Sequence, residues 1–304
     1  MKKFIIHTVS FFFLLLAIAG ILIICVPKNQ DGYLFEYKKK CELMRSVPSP
    51  RIILVGGSNL AFGVNSKEII DSLGIPVVNA GLHAGFGLKF ILDDMVKYVR
   101  KGDIVVIAPE YWHFYGKNAY GETQTFPEML DIAPSALKDL NVYQWTTIIR
   151  GSHLLVLERL SNLNAMWSKK ETQQFEYKKS GFNRYGDEVS HWNFPSKPIV
   201  SGRALNKKMN EDYFLHFLQI IHQLQRISKV ILMPPVIEKG TFINQTKEIV
   251  LLQKELEKHK LKFIVEPINF AYPSELFFDT YHHLNKKGVD INTRKMIQML
   301  KDSI

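Results

Sequence analysis

Apolar residues are distributed along this chain in two patterns, one long run at the N-terminus and then short runs separated by amphipathic segments. Residues 4–26 carry no charge, and a run of this length predicts a helix that can cross the hydrocarbon core of a bilayer. The exit at 23–27 lacks the small residues of a cleavage site. We therefore interpret residues 1–27 as an uncleaved anchor rather than a signal peptide, with the bilayer as its partner.

Charges on the two flanks of this run bear on its orientation. Lys2 and Lys3 favour a cytoplasmic N-terminus, whereas the basic run at 38–40 lies on the opposite flank and argues the other way. We expect a single-pass protein of the cell membrane, with the remaining domain on the extracytoplasmic side.

Beyond a polar linker at 28–50, short apolar runs that end at glycine, proline or asparagine alternate with helical patterns. The predicted strands are 51–56, 76–79, 103–108, 230–233 and 262–266. Alternation of this kind predicts an α/β domain over 51–304, a three-layer, doubly wound parallel sheet of about five strands. Residues 111–210 break the alternation and are interpreted as an insertion, or lid, that contains a helix near 142–163.

Composition narrows the classes of function. The 304 residues are 46% apolar, which fits a folded domain and excludes a disordered chain. The net charge is +10, but the lysines are scattered and no basic stripe is interleaved with aromatic residues, so we expect no nucleic-acid partner. Cys25 lies in the apolar run and Cys41 outside it, so the sequence predicts no disulfide, and it predicts no metal and no cofactor.

Ligands of open parallel sheets bind beyond the carboxyl ends of the strands, so the residues that follow each strand are the candidates for chemistry. Ser58 follows the first strand and Gly81 the second. The third strand is followed by Glu110, Tyr111 and His113, and the fifth, one loop later, by Asp279, His282 and His283. A serine, a histidine and an aspartate at one edge form the set that nucleophilic catalysis needs.

Each of these signals also has an interpretation without chemistry. Ser58 after two glycines could be only a helix N-cap. The segment 279–288 could be a capping loop with surface histidines, or its histidine pair could bind a metal. His83, Asp187 and His191 could line the same cleft, although such residues more often serve structure.

The run Gly56-Gly57-Ser58-Asn59, the glycine after the second strand, and the Asp and His before the last helix resemble the SGNH/GDSL hydrolase superfamily. The resemblance covers residues 51–110 and 229–304. It implies a flavodoxin-like sheet and Ser58 as the nucleophile, with Asp279 orienting the histidine. It also implies that backbone N–H groups of Ser58 and Gly81 stabilise the oxyanion.

The chain departs from the family pattern at two places. The family spacing Asp-x-x-His selects His282 as the base, whereas the context His-Leu-Asn-x-x-Gly selects His283, which we prefer. The family asparagine of the third block is replaced by Glu110, so Asn59, Tyr111 or His113 would have to supply the missing donor.

The resemblance implies a membrane-anchored serine esterase or O-acyltransferase that acts on acyl esters, especially acetyl esters, of a cell-envelope polysaccharide. Its partners would be an acylated glycan or acyl donor. The alternative is a weak or inactive relative that binds glycan or serves an integral-membrane acyltransferase. A nucleotide-binding domain is disfavoured because the first turn lacks the Gly-x-Gly-x-x-Gly spacing and a Walker lysine.

Overall fold

The structure is a computed structural model that describes residues 1–26, 28, 30–168 and 177–304. Its first helix, α1 (Lys2–Cys25), is apolar on every side and has no buried residue. The mean hydropathy of its most apolar window is 2.8. Among the described residues, α1 alone is long and apolar enough to cross a membrane, which confirms the predicted apolar helix.

Four parallel strands form the central sheet, in the order β2-β1-β3-β4. Their bounds are β1 (Ile52–Gly56), β2 (Val77–Asn79), β3 (Ile104–Ala108) and β4 (Lys229–Leu232). All side chains of β1 are buried, as the continuous apolar run predicts for a central strand of a parallel sheet. The α/β class and four of the predicted strands are confirmed.

Residues 262–266 do not form the predicted fifth strand. The segment follows the edge of β4 with one backbone hydrogen bond, from the N–H of Ile264 to the carbonyl oxygen of Leu232 at 2.8 Å. The chain then enters a 3₁₀ turn at Pro267–Phe270, where proline lacks the N–H that would extend a ladder. A small separate parallel pair follows, formed by β5 (Ile237–Glu238) and β6 (Ala271–Tyr272).

Helices cover both faces of the sheet, as the doubly wound pattern predicts. Beyond α1, the helices are α2 (Tyr37–Ser46), α3 (Ser58–Ala61), α4 (Ser66–Leu73), α5 (Leu88–Met95), α6 (Met129–Ile132), α7 (Val142–Ser168), α8 (Glu211–Gln225), α9 (Lys239–Asn244), α10 (Thr246–Lys258) and α11 (Lys286–Lys301). Ile53 and Val55 of β1 pack in one core with α5, α8 and α10. Ile52 and Leu54 point to the other face and pack with α4 and α11.

Two segments outside the alternating pattern pack against the sheet. In the region 28–50, Cys41 and Met44 of α2 are buried, so the segment that the sequence suggests as a linker also contributes to the core. The insertion at 111–210 supplies α6 and α7, and its aromatic residues form a third apolar cluster with Phe62 and Leu82. This cluster covers the edge where the candidate chemistry lies. Residues 169–176 of the insertion lie outside the described residues.

Candidate active site

Ser58 occupies the first turn after β1, where the sequence places the candidate nucleophile. It is the first residue of α3, and Gly57 is the N-cap, in an extended conformation. A Cβ atom at Gly57 would lie 2.7 Å from both Ala84 Cβ and Glu110 Oε1, so only glycine fits this turn. Ser58 is nearly buried, and its hydroxyl makes no hydrogen bond with any residue that the structure describes.

Gly81 lies against the Ser58 turn, but its N–H is already used. It donates to Asn79 Oδ1 at 3.0 Å, and Asn79 Nδ2 donates to the carbonyl oxygen of Leu60 at 2.9 Å. A Cβ atom at Gly81 would lie 2.8 Å from Leu60 Cβ, so the glycine allows β2 and α3 to approach closely. Gly81 therefore positions the turn, and its N–H, predicted to face the oxyanion, is bonded to Asn79 in this structure.

The Asn59 side chain also serves the turn rather than the ligand. Its Nδ2 donates to the carbonyl oxygen of Ala108 at 3.1 Å, and the residue is buried. The amide thus fastens α3 to the end of β3. One hydrogen of the predicted donor Nδ2 is thus used within the protein.

Of the three residues predicted after β3, only Glu110 reaches the Ser58 turn. The Tyr111 ring is buried and packs edge to face with Phe263. His113 is fully buried, and its Nε2 contacts the carbonyl oxygen of Ala84 at 2.9 Å. Neither Tyr111 nor His113 is placed as a cleft donor.

Glu110 brings a carboxylate to the place that the family gives to an asparagine. One oxygen, Oε2, accepts from Trp112 Nε1 at 2.7 Å, while Oε1 has no hydrogen-bond partner among the described residues and occupies the space that a side chain at position 57 would need. Burial alone would raise the pKa of Glu110, but the neighbouring imidazoles and the Trp112 hydrogen bond hold that pKa below its ordinary value. Glu110 is therefore ionised at neutral pH.

The two adjacent histidines have different partners. His282 Nδ1 donates to the carbonyl oxygen of Val236 at 2.6 Å, and its Nε2 lies 3.6 Å from Glu110 Oε2. His283 Nδ1 instead contacts Asp279 Oδ1 at 2.9 Å. Only His283 has the carboxylate that fixes a tautomer with Nε2 free to accept a proton.

A tight turn absorbs the extra residue between Asp279 and His283. Thr280 Oγ1 accepts the backbone N–H groups of His282 and His283 at 3.3 and 3.1 Å. The N–H of Phe278 bonds the carbonyl oxygen of His283 at 2.8 Å. This geometry pairs the aspartate with the histidine four positions on, in agreement with the preference for His283.

Asp279 is held in its ionised form. Burial would raise its pKa, but the hydrogen bond and charge of His283, together with the Tyr177 hydroxyl, lower the pKa below its ordinary value. Tyr177 donates to Asp279 Oδ2, the oxygen that His283 leaves free. Asp279 can therefore orient the imidazole without taking its proton.

An aromatic contact links the Ser58 turn to the base. Phe62, one helical turn after Ser58, stacks on the His283 ring with 4.0 Å between ring centroids. The N–H of Phe62 donates to the carbonyl oxygen of Ser58 at 2.9 Å. The structure thus brings Ser58, Asp279 and His283 to the same edge of the sheet. Within the described residues, no hydrogen bond joins Ser58 Oγ to either histidine.

Residues next to α1 cover this site, a feature that the sequence analysis does not anticipate. The Tyr33 ring contacts the rings of Phe62, His83 and Tyr177. Gly32 forms an antiparallel bridge with Lys178. The only sequence signal for this cover is the aromatic content of the segment 33–37, which is unusual in a linker.

His83, which the sequence analysis leaves among structural residues, lies under the Tyr33 ring that covers the site. Its Nδ1 accepts from the N–H of Gly85 at 2.8 Å, so Nε2 carries the proton. Burial lowers the pKa of His83 to about 4, against the field of Glu110, so the ring is neutral at physiological pH. A neutral imidazole with a protonated Nε2 can donate a hydrogen bond to a developing oxyanion.

Asp187 and His191 hold the insertion to the sheet and do not line the site. Asp187 accepts from Ser66 and Asn79, at 2.5 and 2.9 Å. His191 bridges the Glu188 carboxylate and the carbonyl oxygen of Leu284, both within hydrogen-bond distance. In the part of the chain that the structure describes, no group of three metal-ligating side chains is found.

Comparison of the chain with protein-family models, with curated proteins and with solved structures finds no match in any of the three. An imidazole oriented by a partly buried carboxylate, at the same sheet edge as a serine that follows two glycines, is suited to proton transfer and nucleophilic attack.

Proposed function

We propose that this protein is a membrane-anchored serine esterase or O-acyltransferase. The observation that carries the proposal is the Asp279–His283 pair at the sheet edge where the Ser58 turn lies, with Phe62 connecting the two. The order β2-β1-β3-β4 is compatible with a flavodoxin-like arrangement, whose strand order is 2-1-3-4-5, and with the SGNH/GDSL resemblance.

In the proposed reaction, Ser58 Oγ attacks the carbonyl carbon of an ester while His283 Nε2 takes the hydroxyl proton. Asp279 holds His283 Nδ1–H and stabilises the imidazolium that forms. The intermediate then expels the alcohol, which receives the proton from His283, and the acyl group stays on Ser58. Water or a sugar hydroxyl removes it through the same histidine, giving hydrolysis or transfer.

The oxyanion would be stabilised by the backbone N–H of Ser58 and by His83 Nε2–H. The N–H of Ser58 is at the first position of α3, where a helix leaves it without an intrahelical acceptor. His83 is neutral and directs Nδ1 to Gly85, so its donor nitrogen is available. These groups replace the Gly81 and Asn59 donors that the sequence suggests.

The substrate class rests on location and resemblance. We propose that α1 is a single-pass anchor in the cell membrane and that the domain lies on the extracytoplasmic side, where polysaccharides of the envelope carry acyl esters. Acetyl esters of such a glycan are the proposed substrates. The chemistry of the site supports ester cleavage, and the choice of glycan rests on the family resemblance.

One observation favours the second candidate, an inactive or weak relative that binds an acylated glycan or serves an integral-membrane acyltransferase. The ionised Glu110 carboxylate lies against Gly57, beside the place where negative charge would develop. A fixed negative charge there opposes an oxyanion, in contrast to the asparagine that the family pattern provides.

Hydrolysis of a short-chain aryl acetate by the full chain in mild detergent distinguishes the two candidates. The proposal predicts measurable turnover that Ser58→Ala lowers at least about a thousandfold. Ser152→Ala, a serine on α7 whose hydroxyl bonds the carbonyl oxygen of Ile149, is the matched control and should leave the rate unchanged. Absence of turnover in both proteins would support the inactive relative. Equal turnover in the parent and in Ser58→Ala would instead show that Ser58 is not the nucleophile.

A further inference from the structure

Helix α7 exposes large apolar side chains on one face between Val142 and Trp167. The exposed fraction is 68% for Ile149 and 89% for Trp167. The six side chains that form this apolar stripe are Val142, Trp145, Ile149, Leu157, Leu160 and Trp167. Exposed polar residues, Thr146 and His153, are interspersed on the same face. Six large apolar side chains on one face of a helix are nevertheless more than the single exposed apolar residues of an ordinary surface, so the stripe calls for a partner.

Helical geometry places these residues on one face. At 100° per residue the stripe occupies about a third of the circumference of α7, and the 27-residue helix is about 40 Å long. The opposite face is buried against the domain, with Ile148, Gly151 and Leu155 in contact with it. Gly151 allows that contact, because a Cβ atom there would lie 2.1 Å from the carbonyl oxygen of Thr123.

Helix α7 lies beside the end of the anchor. Lys28 follows the last residue of α1 by three positions, and its Nζ donates to Asp131 of α6 at 2.7 Å. Asp131 also forms an ion pair with Arg159 of α7. The last two turns of α1 are partly buried in this region, whereas its other turns are exposed. Helix α1, which is apolar on every side, contacts α7, and Arg159 lies between Leu157 and Leu160 of the stripe in sequence.

We propose that the apolar stripe lies in the interface of the bilayer that α1 crosses, so that α7 is an interfacial membrane helix. We take the partner of the stripe to be lipid because α1 contacts α7. A bilayer that surrounds α1 extends over the neighbouring face of α7. The stripe has a tryptophan near each end, Trp145 and Trp167, and this residue type favours the headgroup region of a bilayer. This inference concerns membrane contact and holds whether or not the site hydrolyses esters.

The arrangement would keep the candidate active site near the membrane. Tyr33, which covers the site, follows Val26 by seven residues. Even a fully extended chain of this length places Tyr33 at most about 25 Å from Val26. A domain held by both α1 and α7 cannot swing freely away from the bilayer. Substrates would then be taken close to the lipid surface.

The test uses the full chain with Cys25→Ala, reconstituted in vesicles of phosphatidylcholine and phosphatidylglycerol. Cys41 is buried and stays in place, and the parent treated with the dye provides the blank. Ile149→Cys on the stripe and Ile243→Cys on α9 receive the same environment-sensitive fluorophore. The two isoleucines are exposed to similar extents, 68% and 62%, so they form a matched pair.

A nitroxide lipid labelled near the top of the acyl chain should quench the fluorophore at 149 several-fold more strongly than the fluorophore at 243. Equal quenching at the two positions would overturn the proposal. The proposal would also be overturned if the emission of the fluorophore at 149 were unaffected by the nitroxide lipid but changed with the protein-to-lipid ratio. That result would show that a second copy of the chain covers the stripe.

Discussion

The imidazole of His283 lies parallel to the ring of Phe62, with 4.0 Å between the ring centroids and 8° between the planes. Asp279 holds the Nδ1 edge of the same imidazole. One contact fixes the plane of the ring and the other fixes its rotation, so the direction of Nε2 is determined by two elements distant in sequence. This is the arrangement that a general base requires.

Phe62→Leu removes the stack and keeps an apolar side chain. We expect the rate of ester hydrolysis to fall about tenfold because the imidazole loses its alignment. The free energy of unfolding should fall by about 1 kcal/mol. Phe126→Leu, in the same aromatic cluster but without a histidine contact, should lower stability similarly and leave the rate unchanged. Equal rates in the two variants would show that the stack does not position the base.

The neighbouring histidines provide an internal control for the choice of base. His283→Gln should lower hydrolysis by about three orders of magnitude, because the proton acceptor is lost. His282→Gln should retain the rate within about tenfold, since His282 directs its nitrogens to Val236 and Glu110. Measured kcat values of the two variants decide the assignment. The opposite order of activities would identify His282 as the base.

Glu110→Gln should raise the rate. The amide keeps an oxygen for Trp112 Nε1 and replaces a negative charge beside Gly57 with a neutral group. We expect an increase of about tenfold in kcat, since the oxyanion no longer meets a fixed charge. Glu122→Gln, at a second partly buried carboxylate whose pKa burial raises, is the control and should change little. A fall in the Glu110→Gln rate would show that the carboxylate assists the reaction.

The lowered pKa of Glu238 predicts how the free energy of unfolding depends on pH. Hydrogen bonds from the backbone of Gly240 and Thr241 and from neighbouring hydroxyls outweigh burial and lower its pKa from 4.5 to about 2. A lowered folded-state pKa contributes stability that is present above the unfolded pKa of 4.5 and is lost as the pH falls towards 2.

Thermal unfolding of the full chain in mild detergent tests this dependence of stability on the ionisation of Glu238. The melting temperature of Glu238→Gln should lie below that of the parent by a constant amount above about pH 5, and the gap should close between pH 4.5 and 2. The exposed Glu275→Gln is the control and should show no gap of this kind. A gap for Glu238→Gln that stays constant down to pH 2 would contradict the account.

The strands could be predicted where local pattern decides them. β1 and β3 are apolar runs that end at glycine or proline, and the structure has them within a residue of the predicted bounds. Residues 262–266 have the same local pattern, yet only Ile264 bonds to β4. Strand pairing depends on partners elsewhere in the chain, so an apolar run alone does not decide it.

The site could be predicted in part. The candidate residues Ser58, Asp279 and His283 could be found because each lies after a predicted strand. The pairing of Asp279 with His283 could be predicted from the residues that follow His283, before α11. The N–H of Gly81 bonds Asn79 Oδ1, only two residues earlier. The orientation of the Asn79 side chain could not be predicted, because its Nδ2 is held by Leu60 and Asp187, and Asp187 is distant in sequence. The cover formed by Tyr33 and Tyr177 also joins residues far apart in sequence.

The central claim is that Ser58 is a nucleophile activated by His283, and covalent labelling tests it most directly. The full chain in mild detergent is treated with a fluorophosphonate, and the modified peptide is located by mass spectrometry. The account predicts one adduct on Ser58, absent in Ser58→Ala and strongly reduced in His283→Gln. An intact Ser58 in the treated protein, or labelling that persists in Ser58→Ala, would contradict it.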